Sequence, residues 1–279
     1  MADKLTIGNV EVLALIDMVP PPYETGMFFP QVPSDAWGPY EADALEDGML
    51  QLYYGCFALR SQGTVVMVDT GMGPGPHPTR GNRKGDLLNL LGGQGIQPED
   101  VDVVVHTHLH ADHVGWNVTV ESGRPRATFP RARYLVPRAD WEHFKSPQEL
   151  EKAPYVRDSV LPLEGLQVMD LIEGEHTITP EITTVPTPGH TPGHLNVLIS
   201  SQGEKCVVVG DVLHSKVQVQ EPGWCSRADL DPELGQKSRE TMLERMELEN
   251  LVVAAGHFKP DEHFGRVVRL QGRRYWQAV

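Results

Sequence analysis

Thr107-His108-Leu109-His110-Ala111-Asp112-His113-Val114-Gly115 follows the apolar run Val101 to Val105, which reads as a buried strand. His108, His110, Asp112 and His113 therefore stand on the turn where that strand ends, with side chains able to converge. Neutral imidazole and carboxylate are the ligands that zinc and similar divalent ions prefer. Without a cation the cluster is costly, because up to four imidazoles (His106 included) and a carboxylate crowd one turn. The segment reads as a ligand set rather than a solvated loop.

Three further segments extend it. In Thr187-Pro-Gly-His190-Thr-Pro-Gly-His194, Pro and Gly on both sides of His190 set a tight turn and allow close backbone approach. Val207-Val-Val-Gly-Asp211 and Leu251-Val-Val-Ala-Ala-Gly-His257 are apolar strands ending in Gly-Asp and Gly-His. Singly, His190 or His257 reads as a satisfied loop histidine. Together with the first cluster they give seven candidate ligands, five His and two Asp.

This ensemble resembles the metallo-β-lactamase superfamily over essentially the whole chain. The family motif His-x-His-x-Asp-His falls on His108, His110, Asp112 and His113, and the later His, Asp and His on His190, Asp211 and His257. Asp69-Thr70-Gly71, after the strand Thr64 to Val68, matches an element whose Asp supports the site from behind the ligands. The resemblance implies an α/β fold: a four-layer αβ/βα sandwich of two mixed sheets flanked by helices, as a single domain over 1–279. It also implies two divalent ions. His108, His110 and His190 would hold one, Asp112, His113 and His257 the other, and Asp211 would bridge them. Zinc is the expected ion, although manganese, iron or cobalt suit the same ligands. His106 has no ligand role in the family and is expected on the strand; His194 is expected to be structural. His77, His143, His176 and His263 join no constellation and are assigned to loops or the surface.

Composition bounds the partners. A net charge of −14 argues against nucleic acid, although relatives with this motif process RNA and DNA, and the densest basic group, Arg124 to Arg138, is interrupted. Three widely spaced cysteines, Cys56, Cys206 and Cys225, read as reduced and structural, which suits a cytoplasmic protein. The N-terminus has no signal-like apolar region, and no run of about 18 apolar residues occurs, so no membrane association is expected.

Patterning predicts strands within Leu5–Met18 and Leu50–Val68, with turns at Gly8-Asn9 and Gln62-Gly63. Lys84 to Leu91 reads as a helix ended by Gly92-Gly93. Arg133 to Val136 reads as a strand preceding a helix with Trp141 and Phe144; further strands are expected at 181–185, 195–200 and 206–209. Asp231-Pro232-Glu233 opens a helix whose Met242, Leu243 and Met246 face the core. The stretch 19–48 is rich in Pro, aromatics and acids. Its length and aromatics predict an ordered segment that covers the site or packs on a second subunit of a homodimer. Met27, Phe28, Phe29, Trp116 and Trp224 are the expected pocket residues.

Two ions about 3.5–4 Å apart can share a water and lower its pKa, giving a hydroxide that attacks a carbonyl or phosphoryl centre. Asp112, Asp211 and His214 are the expected catalytic groups: Asp112 moves a proton, Asp211 holds the spacing. His214 either donates to the developing oxyanion or orients Asp211. The resemblance disfavours several branches. Diiron relatives carry Glu where His110 stands, subclass B1 β-lactamases carry Cys at Asp211, and glyoxalase II relatives add a C-terminal domain where only 22 residues follow His257. What remains is similar to quorum-quenching lactonases and to methyl-parathion-hydrolase-like enzymes; many lactonases place Tyr where His214 stands. The expected function is opening of a lactone, with N-acyl-homoserine lactone leading. A broad esterase or phosphotriesterase is the alternative, followed by a β-lactamase or a non-catalytic metal-dependent binding protein.

Overall fold

A computed structural model describes residues 3–279. The chain begins with an antiparallel meander: β1 (Asp3–Ile7), β2 (Val10–Met18), β3 (Tyr54–Ser61) and β4 (Thr64–Val68). Parallel strand β5 (Val103–Val105) follows, then a small hairpin of β6 (Val118–Glu121) and β7 (Arg124–Ala127). Strands β8 (Arg133–Pro137) and β9 (Met169–Ile172) complete the first seven-stranded sheet in the order β1-β2-β3-β4-β5-β8-β9. The second comprises β10 (Thr177–Thr179), β11 (Ile182–Pro186), β12 (Leu195–Ser201), β13 (Glu204–Val209), β14 (Val252–Ala255), β15 (Phe264–Leu270) and β16 (Arg273–Ala278), paired in sequence order.

Side-chain alternation explains the layers. On β2, Val12 and Ala14 point to the second sheet and meet Val197, Ile199, Cys206 and Val208 in one cluster. Leu13 and Leu15 point the other way, onto Leu87 and Leu91 of the helix Leu87–Gly93. On β13 and β14, Val207, Val209, Val253 and Ala255 face Met242, Leu243 and Met246 of the helix Pro232–Leu248. The central strands are thus buried on both faces, so β3, β4, β13 and β14 read as largely continuous apolar runs, whereas the edge strands β1 and β16 do not. Each buried Val or Leu contributes roughly 1.5–3 kcal/mol relative to exposure. The result is helix, sheet, sheet, helix, the expected αβ/βα sandwich.

β4, β5 and β8 are parallel, as are β13 and β14, so their carboxyl ends open on one rim. The strand-end residues Asp69, the 107–115 turn, Asp211 and His257 all emerge there. Ligand sites in α/β sheets gather at such ends because the loops leaving them converge.

Several expectations need correction. The helix expected at 84–91 runs Leu87–Gly93, because Gly85 and Asp86 are held in a loop by bonds to Gly73 O and Asp17. Gly92 and Gly93 lie inside its last turn, and the stop is Gly95 at φ 69°. His106 sits one residue past β5, still tied to Leu135 O through its backbone N–H. His263 lies in a loop, one of the two places expected for it, but is buried there, with Nδ1 3.3 Å from Ala255 O. The 19–48 segment contains one-turn helices, Thr25–Phe28 and Glu41–Ala44, around a 3-10 stretch Ser34–Tyr40. Phe28, Phe29, Val32 and Trp37 bury it against Leu50, Leu52 and Val217. Among the described residues no helix is long and apolar enough to cross a membrane.

Candidate metal centre

The 107–115 turn begins where β5 runs out of apolar residues. Ala111–Val114 forms one helical turn, which places His113 on the inner side, beneath His108 and His110. Gly115 closes it: its N–H donates to Gly71 O at 2.7 Å, and a Cβ there would lie 2.0 Å from the Met72 carbonyl carbon. Asp69 occupies the left-handed region at φ 64°, a conformation Asp tolerates better than most residues. That places its carboxylate under the turn, accepting from Thr107 N at 2.8 Å, Thr107 Oγ1 at 2.7 Å and His113 Nδ1 at 2.8 Å. Burial works to raise the Asp69 carboxyl, but the imidazoles of His113 and His106 hold it at about 2.

The hydrogen-bond network fixes which imidazole nitrogen faces the centre. His190 Nδ1 donates to Asp229 Oδ1 at 2.6 Å, and His257 Nδ1 donates to Tyr53 O at 2.8 Å. His113 Nδ1 donates to Asp69. Thr107 Oγ1, having given its proton to Asp69, accepts from His108 Nδ1 at 3.0 Å. In each neutral ring the proton is on Nδ1, so Nε2 carries a lone pair. Those four lone pairs converge on one carboxylate. Asp211 Oδ1 lies 3.1 Å from His113 Nε2 and 2.9 Å from His257 Nε2. Its Oδ2 lies 3.1 Å from His190 Nε2 and 3.6 Å from His108 Nε2. His110 points Nδ1 at His108 and His190, 3.1 and 2.9 Å away.

Facing an anionic carboxylate in a buried space, such nitrogens need a cation among them, a proton or a metal ion: against burial, Asp211 pushes His257 up, His113 well up and His190 up to about 9. The donor set therefore fits divalent metal. Ligand atoms fall into the groups His108-His110-His190-Asp211 and Asp112-His113-His257, each within 4.8 Å internally. All seven sequence candidates come together, with one Asp211 oxygen towards each pair of rings.

His214 adds a third grouping with Asp211 and His257. Its Nε2 donates to Asp211 Oδ2 at 3.1 Å, and its ring stacks on His257 at 5.2 Å and 12°. His194 stands behind the centre: its Nε2 accepts from Asp211 N at 2.9 Å, and burial, then the neighbouring His190, push it down to about 3.

Three buried carboxylates were not picked out from the sequence. Asp229 orients His190, which, against the effect of burial, holds the carboxyl well below its ordinary range. Asp140 accepts from Leu109 N, Thr191 Oγ1 and Gly193 N at 3.0, 2.9 and 2.6 Å, so it ties the turn carrying His108 and His110 to the one carrying His190. Asp140→Ala is expected to weaken metal binding about 10- to 100-fold, read by competition with a chromogenic chelator. The third, Asp17, holds the loops beneath the turn. A lone Asp inside the apolar strand Val10–Met18 was the available signal.

A cavity of about 200 Å³ opens beside Asp112, Asp211, His214 and His257. Tyr23, Phe28, Leu52 and Tyr54 form its walls, with Tyr155, Arg80 and Arg227. Of the expected pocket residues only Phe28 lines it. Met27 is 53% exposed, because its one-turn helix turns that face to solvent. Phe29 is buried at 5.7 Å from Trp37, and Trp224 packs on Trp37 at 4.8 Å. Trp116 is also buried, its indole N–H donating to Asp17 at 2.8 Å. Tyr54 and Arg80 escaped sequence reading because neither lies near a motif.

The family model described as the metallo-beta-lactamase superfamily matches residues 55–257. The N-acyl homoserine lactonase AiiA of Bacillus thuringiensis subsp. kurstaki is 25% identical over 235 residues, 78% of this chain and 86% of that protein. The N-acyl homoserine lactonase AttM of Rhizobium radiobacter is 32% identical over 120 residues, 40% of each chain. Among solved structures, the dizinc quorum-quenching lactonase AidC superposes with a TM-score of 0.86 at 21% identity, covering 100% of this chain and 97% of its own. The hydrolase AbOPH gives 0.85 at 22% identity, with the same coverage. With the family's motif residues gathered at one rim of its sandwich, the chain belongs to the metallo-β-lactamase superfamily.

Proposed function

We propose that this protein is a two-metal hydrolase that opens a lactone ring, with an N-acyl homoserine lactone as the leading substrate. The observation that carries the reading is the Asp211 carboxylate, one oxygen towards each pair of imidazole lone pairs, at the floor of a cavity with aromatic walls. The names of the relatives, N-acyl homoserine lactonases, support the substrate class.

Two divalent ions held by His108, His110 and His190 and by Asp112, His113 and His257 would supply an activated water and polarise the carbonyl oxygen. Asp211, with one oxygen towards each group, would set their spacing. Asp112, which lines the cavity, takes a proton from the attacking water and returns it to the ring alkoxide as the acyl carbon–oxygen bond breaks. The product is a hydroxy acid. Phe28, Leu52 and Tyr54 keep bulk water from the reacting carbonyl.

His214 acts by orienting Asp211. With Nε2–H committed to Oδ2, its Nδ1 is an acceptor and has no proton to offer an oxyanion. His214→Phe is expected to lower kcat/KM about 10- to 100-fold and to weaken metal binding with it. Equal kcat loss with unchanged metal affinity would make His214 an oxyanion donor instead.

The deciding experiment is pH-stat hydrolysis of a short- and a long-chain acyl-homoserine lactone beside paraoxon and a p-nitrophenyl ester, with metal counted in the same preparation. Lactone turnover far above the others, with two metals per chain, is the expected result. Fast aryl-ester or phosphotriester cleavage with poor lactone turnover would replace it with the broad esterase reading.

A further inference from the structure

The cavity holds two guanidinium groups that form no ion pair among the described residues. Arg80 is half-buried on its wall; its Nε donates to Tyr54 Oη at 2.9 Å, and Nη1 reaches Thr79 O at 3.3 Å. Arg227, at the mouth, lies over the Tyr23 ring at 5.6 Å. Among the described residues neither makes an ion pair, in a chain whose net charge is −14 and whose other surface arginines are commonly bridged.

Tyrosine hydroxyls join the two. Tyr54 accepts from Arg80 and stands 3.0 Å from Tyr23 Oη, beneath Arg227. Burial raises the Tyr54 phenol well above its ordinary value, so it stays protonated. The Tyr54 ring meets His257 edge-on at 6.1 Å, which sets Arg80 about one tyrosine length from the ligands. The acids that face the same cavity, Asp112 and Asp211, both belong to the metal-ligand groups. Their charge would be answered there, which leaves Arg80 and Arg227 as the cations of the lining without an ion pair among the described residues.

We propose that the cavity selects lactones bearing a second, anionic group, a carboxylate at the end of the acyl arm, seated on Arg80 and Arg227 while the ring carbonyl faces Asp211. The inference rests on the lactonase reading and moves the preferred substrate away from a purely hydrocarbon chain. A guanidinium fork matches a carboxylate in shape as well as charge, and a half-buried one is poorly screened. A carboxylate there also gives the two arginines the counter-ion the protein withholds.

The test compares three homoserine lactones on the metal-loaded enzyme: N-glutaryl, its methyl ester and N-hexanoyl. The reacting ring is the same in all. The glutaryl compound is expected to exceed its methyl ester in kcat/KM by roughly 10- to 100-fold. That ratio should fall towards one in Arg80→Gln and drop clearly in Arg227→Gln, whose exposed position makes misfolding no explanation. Raising salt to about 1 M, where the screening length is about 3 Å, should shrink it at Arg227 first. A wild-type ratio near one overturns the proposal, and so does a high ratio that survives both substitutions. If no lactone is opened, the lactonase reading fails. Calorimetry of the ring-opened glutaryl and methyl-ester compounds then isolates the arginine seat: an arginine-dependent preference for the carboxylate supports that seat without its lactone substrate, and its absence overturns the proposal.

Discussion

Asp211→Ala is expected to lower lactone kcat/KM about a thousandfold or more and to reduce bound metal from two per chain to one or fewer. Asp211 is buried, and five ring nitrogens lie within 3.6 Å of its oxygens. Its removal takes away the anion common to both ligand groups and the acceptor for His214 Nε2–H. Asp211→Asn keeps the shape but turns one oxygen into a donor facing lone pairs, so it should be nearly as severe. Turnover that survived with metal at one or fewer would sink the two-metal mechanism. Intact metal content with activity lost would restrict Asp211 to the chemical step.

The second large effect concerns stability. Asp17 Oδ1 accepts from Asp86 N, Leu87 N and Trp116 Nε1 at 2.9, 3.0 and 2.8 Å. Oδ2 accepts from Met72 N and Gly73 N at 2.7 and 3.2 Å. Five donors thus depend on one carboxylate that is 2% exposed. Asp17→Ala leaves them in a space too tight to hydrate well; a Cβ on Gly71 or Gly85 would already touch the carboxylate. At about 1–3 kcal/mol for each buried group left unpaired, relaxed in part, a net loss of about 4 kcal/mol or more is expected. Chemical denaturation reads it as a lower midpoint. A loss under about 1 kcal/mol would mean that water replaces the carboxylate. Because Trp116 and Met72 adjoin the 107–115 turn, metal affinity should fall alongside.

The candidate ligands that the structure gathers were legible in the sequence because metal chemistry admits few residue types, three of the four segments follow apolar runs, and the fourth, at His190, is a Pro/Gly turn. The sandwich was legible for a related reason: Val12, Leu13, Ala14 and Leu15 are all buried, so both faces announce themselves as apolar. The groups that hold the ligands were not legible. Asp140 and Asp229 reach their partners across 31 to 53 and 39 positions of chain, and nothing local distinguishes them from surface acids. The cavity was misread for a like reason. Met27, Phe28 and Phe29 are adjacent, yet a single helical turn sends them to solvent, cavity and core respectively. Aromatic content marks a segment as ordered without saying which ring faces the substrate.

The seven candidate ligands are divided between the two sheets. His108, His110, Asp112 and His113 follow β5 of the first, whereas His190, Asp211 and His257 follow β11, β13 and β14 of the second. Each ion would therefore draw on both halves, and neither half owns a complete coordination sphere. Thermodynamic linkage makes the consequence reciprocal: whatever loosens the sheets from one another weakens the ions, and the free ion concentration in turn sets how firmly the halves stay closed. The same atoms that would serve the chemistry would act as a clasp across the seam of the molecule.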